Sequence, residues 1–103
     1  MEFTTADYKA AVNKVYAESR LVRWLCKRTP ENEQCIEKIA SVVWVQCIRL
    51  NATQNNELVR NNCRNAVVTE IGFAWLPILI QILLPIIIDL LIQFFLEKRA
   101  AEQ

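Results

Sequence analysis

The chain has 103 residues, a formal charge of +1, one glycine, three prolines, four cysteines and no histidine. This length allows one small domain, and charges of both signs mixed along the chain exclude a basic block that would grip nucleic-acid phosphates. So little glycine and proline excludes collagen-like and turn-rich β architectures, which leaves an all-α protein.

Met1 to Asp7 lack a basic stretch followed by an apolar one, so no cleavable signal peptide is expected. Thr4 or Thr5 with Asp7 is a helix-start signature. The spacing of Tyr8, Val12, Val15, Ser19, Val22 and Cys26, widened by Ala11, Tyr16 and Leu25, then predicts an amphipathic helix over about residues 5–28. Arg23, Lys27 and Arg28 complement its last carbonyls. Thr29-Pro30-Glu31 ends that helix and starts a second over about 30–50, since proline suits the first helical position after a threonine cap. Ile36, Ala40, Val43, Cys47 and Leu50 form its apolar stripe. Val42, Trp44, Val45 and Ile48 make its second half apolar on more than one face, which calls for two neighbours. The polar string Asn51 to Asn56 is a turn.

A third helix over about 54–70, with Val59, Cys63, Ala66, Val67 and Ile71 on one face, leads into the run Ile71 to Leu96. If continuous to Leu96 it would be about 65 Å long, half of it standing outside a bilayer. Gly72 is the candidate hinge. The expected organisation is therefore a helical extramembrane domain over 1–70, a transmembrane helix over 71–96 and a polar tail over 97–103. The fold class is a small antiparallel helical bundle, two amphipathic helices plus a third, continuing into a C-terminal membrane span. This is a tail-anchored layout with the N-terminal domain expected on the cytoplasmic side, although Arg60 and Arg64 before the span and Lys98 and Arg99 after it leave the charge rule undecided. A folded part of about seventy residues leans on disulfides, metal or partners.

Cys26, Cys35, Cys47 and Cys63 have no C-x-x-C pair, which argues against zinc. Cys26 with Cys35 is centred on the Pro30 turn and Cys47 with Cys63 on Asn55, so each pair could face across a hairpin and form a disulfide. As small residues on apolar stripes they also fit buried thiols, the form a cytosolic domain favours. Asn51-Ala52-Thr53 matches the glycosylation sequon and equally reads as a turn and cap. Arg20, Arg23, Lys27 and Arg28 around Trp24 are candidates for contact with anionic headgroups, or a solvated face. With no histidine, only Ser19 and Ser41 as serines and no glycine-rich loop, neither catalysis nor a cofactor or small-molecule substrate is expected.

Between Leu76 and Leu96 sixteen residues are Leu, Ile or Phe. Their insertion preference outweighs one aspartate at a cost of about 2.5–3.5 kcal/mol. Pro77, Gln81, Pro85, Asp89, Gln93 and Glu97 recur every fourth residue, and the prolines free the carbonyls of Phe73 and Gln81. An intramembrane acid faces a bundle interior or water, so Gln81, Pro85, Asp89 and Gln93 are the candidate helix contact. The favoured function is a non-enzymatic structural or assembly subunit of a larger membrane-associated complex, such as a multi-subunit envelope complex or a lipid-containing virion. Its partners would be membrane lipid and other subunits or copies of itself. The alternatives are a homo-oligomeric, holin-like or channel pore lined by Gln81, Asp89 and Gln93, and a soluble helical oligomer with the run as a buried core helix.

Overall fold

The computed structural model describes residues 2–102. Among them the chain forms five α-helices and no strand: α1 (Thr5–Glu18), α2 (Arg20–Leu25), α3 (Pro30–Arg49), α4 (Glu57–Val67) and α5 (Ile78–Ala101). The all-α class read from composition is the observed one.

The starts follow the capping residues. Thr4 and Asp7 form a reciprocal capping box, with the Thr4 amide donating to Asp7 Oδ2 at 2.7 Å and the Asp7 amide to Thr4 Oγ1 at 3.3 Å. The Thr4 amide, with help from Lys98 and the Thr4 hydroxyl, holds the Asp7 carboxyl below the usual aspartate range. A depressed carboxylate stabilises the fold fully above its unfolded pKa of about 3.9 and loses that contribution as pH falls through the lower folded value. The thermal midpoint of Asp7→Asn should therefore lie beneath that of the parent at neutral pH and begin to approach it only as pH falls below about 4.

Helix 5–28 does not form as one piece. Ser19, buried, closes α1 in an extended conformation and caps α2 by accepting from the Val22 amide at 3.1 Å. A serine hydroxyl offers the backbone a local partner in place of the helix ladder. Arg23 then donates to the carbonyls of Tyr16 at 2.7 Å and Ala17 at 2.6 Å, satisfying the end of α1. Thr29 and Pro30 start α3 as expected, and Asn51 ends it in the left-handed region at φ 49°. Asn56 caps α4 through the Val59 amide at 3.0 Å.

The third helix and the apolar run are separate elements. After α4 come one π-helical turn, Val68–Gly72, and one 3-10 turn, Phe73–Trp75. Gly72 takes φ +88°, and Pro77 restricts Leu76 to extended backbone before α5 begins. The described residues form no continuous stalk. Their longest dimension is 35 Å, and α5 lies inside the bundle.

Direction along the bundle is set by long-range contacts. Trp75 and Pro77 share a cleft with Glu31 and Lys38, Trp44 meets Leu91, and Arg99 donates to the Ala52 carbonyl at 2.8 Å. Helices α3 and α5 therefore run parallel, with α4 returning antiparallel to both. Ile80, Leu83, Leu84, Ile87, Ile88, Leu91, Ile92 and Phe95, spaced by three and four, form the buried stripe of α5. Ile36, Ile39, Ala40, Val43, Trp44 and Cys47 of α3 are also in this core, as are Ala11, Val12, Val15 and Tyr16 of α1 and Val59, Cys63 and Val67 of α4. The Trp44 indole donates to the Leu91 carbonyl at 3.3 Å and packs on Phe3, Tyr8 and Phe94 at centroid distances of 4.2, 4.8 and 5.5 Å. The expected polar tail belongs to α5 as far as Ala101. There Lys98 pairs with Asp7 at 3.2 Å and Arg99 donates to Asn51 Oδ1 at 2.7 Å.

Candidate functional site

Two features of α5 differ from a uniform core helix. The first is the polar stripe. Asp89 Oδ1 accepts from Asn55 Nδ2 at 2.7 Å, and Oδ2 accepts from Gln93 Nε2 at 3.1 Å. Arg60 donates to the Asn55 carbonyl at 2.9 Å and to its side-chain oxygen at 3.2 Å, so a guanidinium backs the amide that holds the carboxylate. Gln81 stands apart from this cluster and donates to the Leu76 carbonyl at 2.7 Å, tying the entry of α5 to its first turns. Pro85 is exposed in a groove whose walls carry Arg20 and Leu21 on one side and Arg60 on the other. Asp89→Ala removes a charged acceptor from Asn55 and should cost about 1–2 kcal/mol. Asp89→Asn, which keeps an acceptor, should cost less than half of that in urea unfolding.

The second feature is apolar exposure. Trp75 is 84% exposed, Ile78 71%, Ile82 64% and Trp24 79%, with Leu21, Leu25 and Leu79 also exposed. Ile78 and Ile82 continue along α5, in steps of four, the row that reaches Ile86 in the groove. Leu21 flanks Pro85 and Ile86 in the groove, while α3, which starts at Pro30 five residues beyond α2, carries Glu31 into the cleft of Trp75. Cys35 lines the same cleft, with Pro77. Helix α2 therefore runs beside α5 from the level of Leu90 toward that of Ile78, carrying Leu21, Trp24 and Leu25 outward at spacings of three and four. Helix periodicity places Trp24 within the basic cluster of residues 20–28, but it does not show that the N-terminal half of α5 stays uncovered. The i, i+4 pair Ile78 and Ile82 was the available signal.

The basic cluster divides. Arg23 caps α1, and Arg28 bonds Glu33 at 2.5 Å, contacts Asn13 Oδ1 and stacks over the Tyr16 ring at 5.2 Å. Arg20 and Lys27 are exposed and take no part in the ion pairs among the described residues.

All four cysteines are free thiols. The hairpin pairing nevertheless places Cys47 and Cys63 together across α3 and α4. The Cys63 thiol donates to the Val43 carbonyl at 3.8 Å. The neighbouring Cys63 thiol, with burial, pushes the Cys47 thiol far above the usual range. Cys26 lies 3.6 Å from the Tyr16 hydroxyl, and burial, first, with this contact raises the Tyr16 pKa. Of the four, Cys35 alone is partly exposed. Iodoacetamide should label Cys35 first in the native protein. Cys26, Cys47 and Cys63 should react at least about a hundredfold more slowly, because each needs the bundle to open; peptide mass mapping reads the order.

Asn51, the first residue of the sequon, has its side chain engaged by Arg99. Among the described residues no three His, Cys, Asp or Glu side chains converge as a metal set. No protein-family model matches the chain, and no curated protein and no solved structure matches it.

Proposed function

We propose that this is a non-enzymatic, membrane-associated helical protein that serves as a structural or assembly subunit of a larger complex. The observation that carries the proposal is the exposed apolar side of α5. This helix is long and apolar enough to cross a membrane, half of it is buried in the bundle, and Ile78, Leu79 and Ile82 beside Trp75 face outward. Aqueous monomers seldom leave such a contiguous surface bare. A chain without histidine, whose Ser19 is spent on a helix cap, offers little to acid-base or nucleophilic chemistry. A pore gains less support, since Gln81, Asp89 and Gln93 are engaged in the chain's own hydrogen bonds.

Fractionation of expressing cells, followed by native mass measurement of the gently solubilised protein, tests the proposal. Recovery with membranes, in a complex heavier than the 12.0 kDa chain, is the expected result. The second reading is a soluble helical oligomer, favoured by the eight α5 side chains that the chain buries by itself. It predicts recovery in the aqueous fraction as a homo-oligomer, which would overturn the membrane assignment.

A further inference from the structure

The exposed side of α5 is one part of a larger surface whose remaining parts have a different chemistry. Its apolar floor is Ile78, Ile82 and Ile86. Trp75 precedes this floor in the chain, in a cleft that Glu31 and Lys38 share, and the exposed Trp24 belongs to the neighbouring helix α2. Indole rings with an apolar body and one N–H donor settle at the boundary between acyl chains and headgroups. Arg20 lies one helical turn before Trp24 on the same face of α2, and Arg60 stands across the groove.

Two carboxylates also reach this groove, but both are committed. Asp89 is held by Asn55 and Gln93, and Glu18 is paired with Lys14 at 2.8 Å. Asp89 keeps its charge and has the Arg60 guanidinium behind its Asn55 partner, so Arg20 and Lys27, exposed and outside the ion pairs among the described residues, are the positive charges left to meet an external anion.

We propose that this surface docks the intact bundle onto a bilayer rich in anionic phospholipid. Ile78 and Ile82 enter the outer acyl layer, Trp24 and Trp75 sit at headgroup level, and Arg20 and Lys27 meet lipid phosphates. Helix α5 lies against the membrane and does not cross it, because its opposite stripe from Ile80 to Phe95 remains the core of the bundle. This inference rests on the membrane-associated reading and adds to it the mode of contact and the lipid charge. The occupant is a charged lipid surface and not an apolar protein, because exposed indoles and unpaired cations bordering an apolar floor follow the layering of a bilayer interface.

The test uses the purified full chain in flotation assays with vesicles of phosphatidylcholine alone and of phosphatidylcholine mixed equally with phosphatidylglycerol. Binding to the mixed vesicles, release by high salt and a blue shift in tryptophan emission are expected. Arg20→Gln should weaken binding about fivefold, the share of one cation near an anionic surface. Ile78→Ser with Ile82→Ser should weaken it by about a hundredfold. Both isoleucines are mainly exposed, so the double variant should keep the parent's circular dichroism and thermal midpoint. Equal binding to both vesicle types that resists salt and alkaline carbonate would mean insertion of α5, overturning the docking mode while leaving membrane association standing. Binding to neither vesicle type would overturn both. A defined homo-oligomer dissolved by the same double variant would show that a second copy covers the surface, and would likewise overturn the proposal.

Discussion

Trp44→Ala should unfold a large fraction of the protein at room temperature. The indole is 1% exposed, packs on three aromatic rings and donates to the Leu91 carbonyl, so it joins α1, α3 and α5 at one point. Truncating a buried tryptophan costs about 3–5 kcal/mol, because the lost transfer energy is joined by a cavity that rigid neighbours fill only in part. Total stabilities of domains are about 5–15 kcal/mol, and a bundle of this size belongs near the lower end. Urea unfolding followed by far-ultraviolet circular dichroism should show the midpoint falling by half or more. Trp44→Phe keeps most of the packed area and loses the N–H donor, so its cost should be nearer 1–2 kcal/mol, within about the range of one hydrogen bond and a modest repacking. Equal losses from both variants would mean that the hydrogen bond, and not the packing, carries the effect.

Gly72→Val should lower stability by about 1–3 kcal/mol, the cost of holding a side-chain-bearing residue in a backbone region reserved for glycine. At φ +88° the strain falls on the backbone itself, and a β-branched residue tolerates it worst. An added Cβ would also stand 2.9 Å from Trp75 Cδ1. That ring is mainly exposed and can swing aside, so the contact decides where Trp75 points more than how stable the bundle is. The variant should therefore show two separable effects, a lower urea midpoint and weaker association with anionic vesicles even when fully folded. A Gly72→Val protein with an unchanged midpoint would show that the turn between α4 and α5 relaxes without cost.

Capping chemistry made most of the helix boundaries legible. Thr4 with Asp7, Thr29 with Pro30 and the polar string from Asn51 to Asn56 each act within one turn of chain, so local sequence carries the information. The break at Ser19 was hidden because the apolar spacing from Val15 to Val22 runs through it without losing phase. The hinge at Gly72 was legible as a position, while the reversal it produces was not. Direction depends on Trp75, Leu76 and Pro77 packing near the start of α3, a contact between residues far apart in sequence. The same limit applies to Asp89. Its position on α5 follows from counting, but the partner across from it, Asn55 backed by Arg60, belongs to a turn and a helix that periodicity treats as separate. The environment of α5 was the hardest to read, since a helix surrounded by lipid and one surrounded by other helices need the same aliphatic residues. Only the exposure of Ile78 and Ile82, set against the burial of Ile80 and Leu84, separates the two halves of that surface.

Among the described residues, the helices that pack on α5 precede it in the chain. During synthesis α1 to α4, which also pack on one another through α3, therefore leave the ribosome before α5, and the core they share with it stays open until Phe95 has cleared the exit. When α5 does emerge, its buried stripe is as open to a membrane, a targeting factor or a chaperone as it is to its own bundle. Closure of the fold is then a race between intramolecular packing and capture, decided within the time α5 spends uncovered.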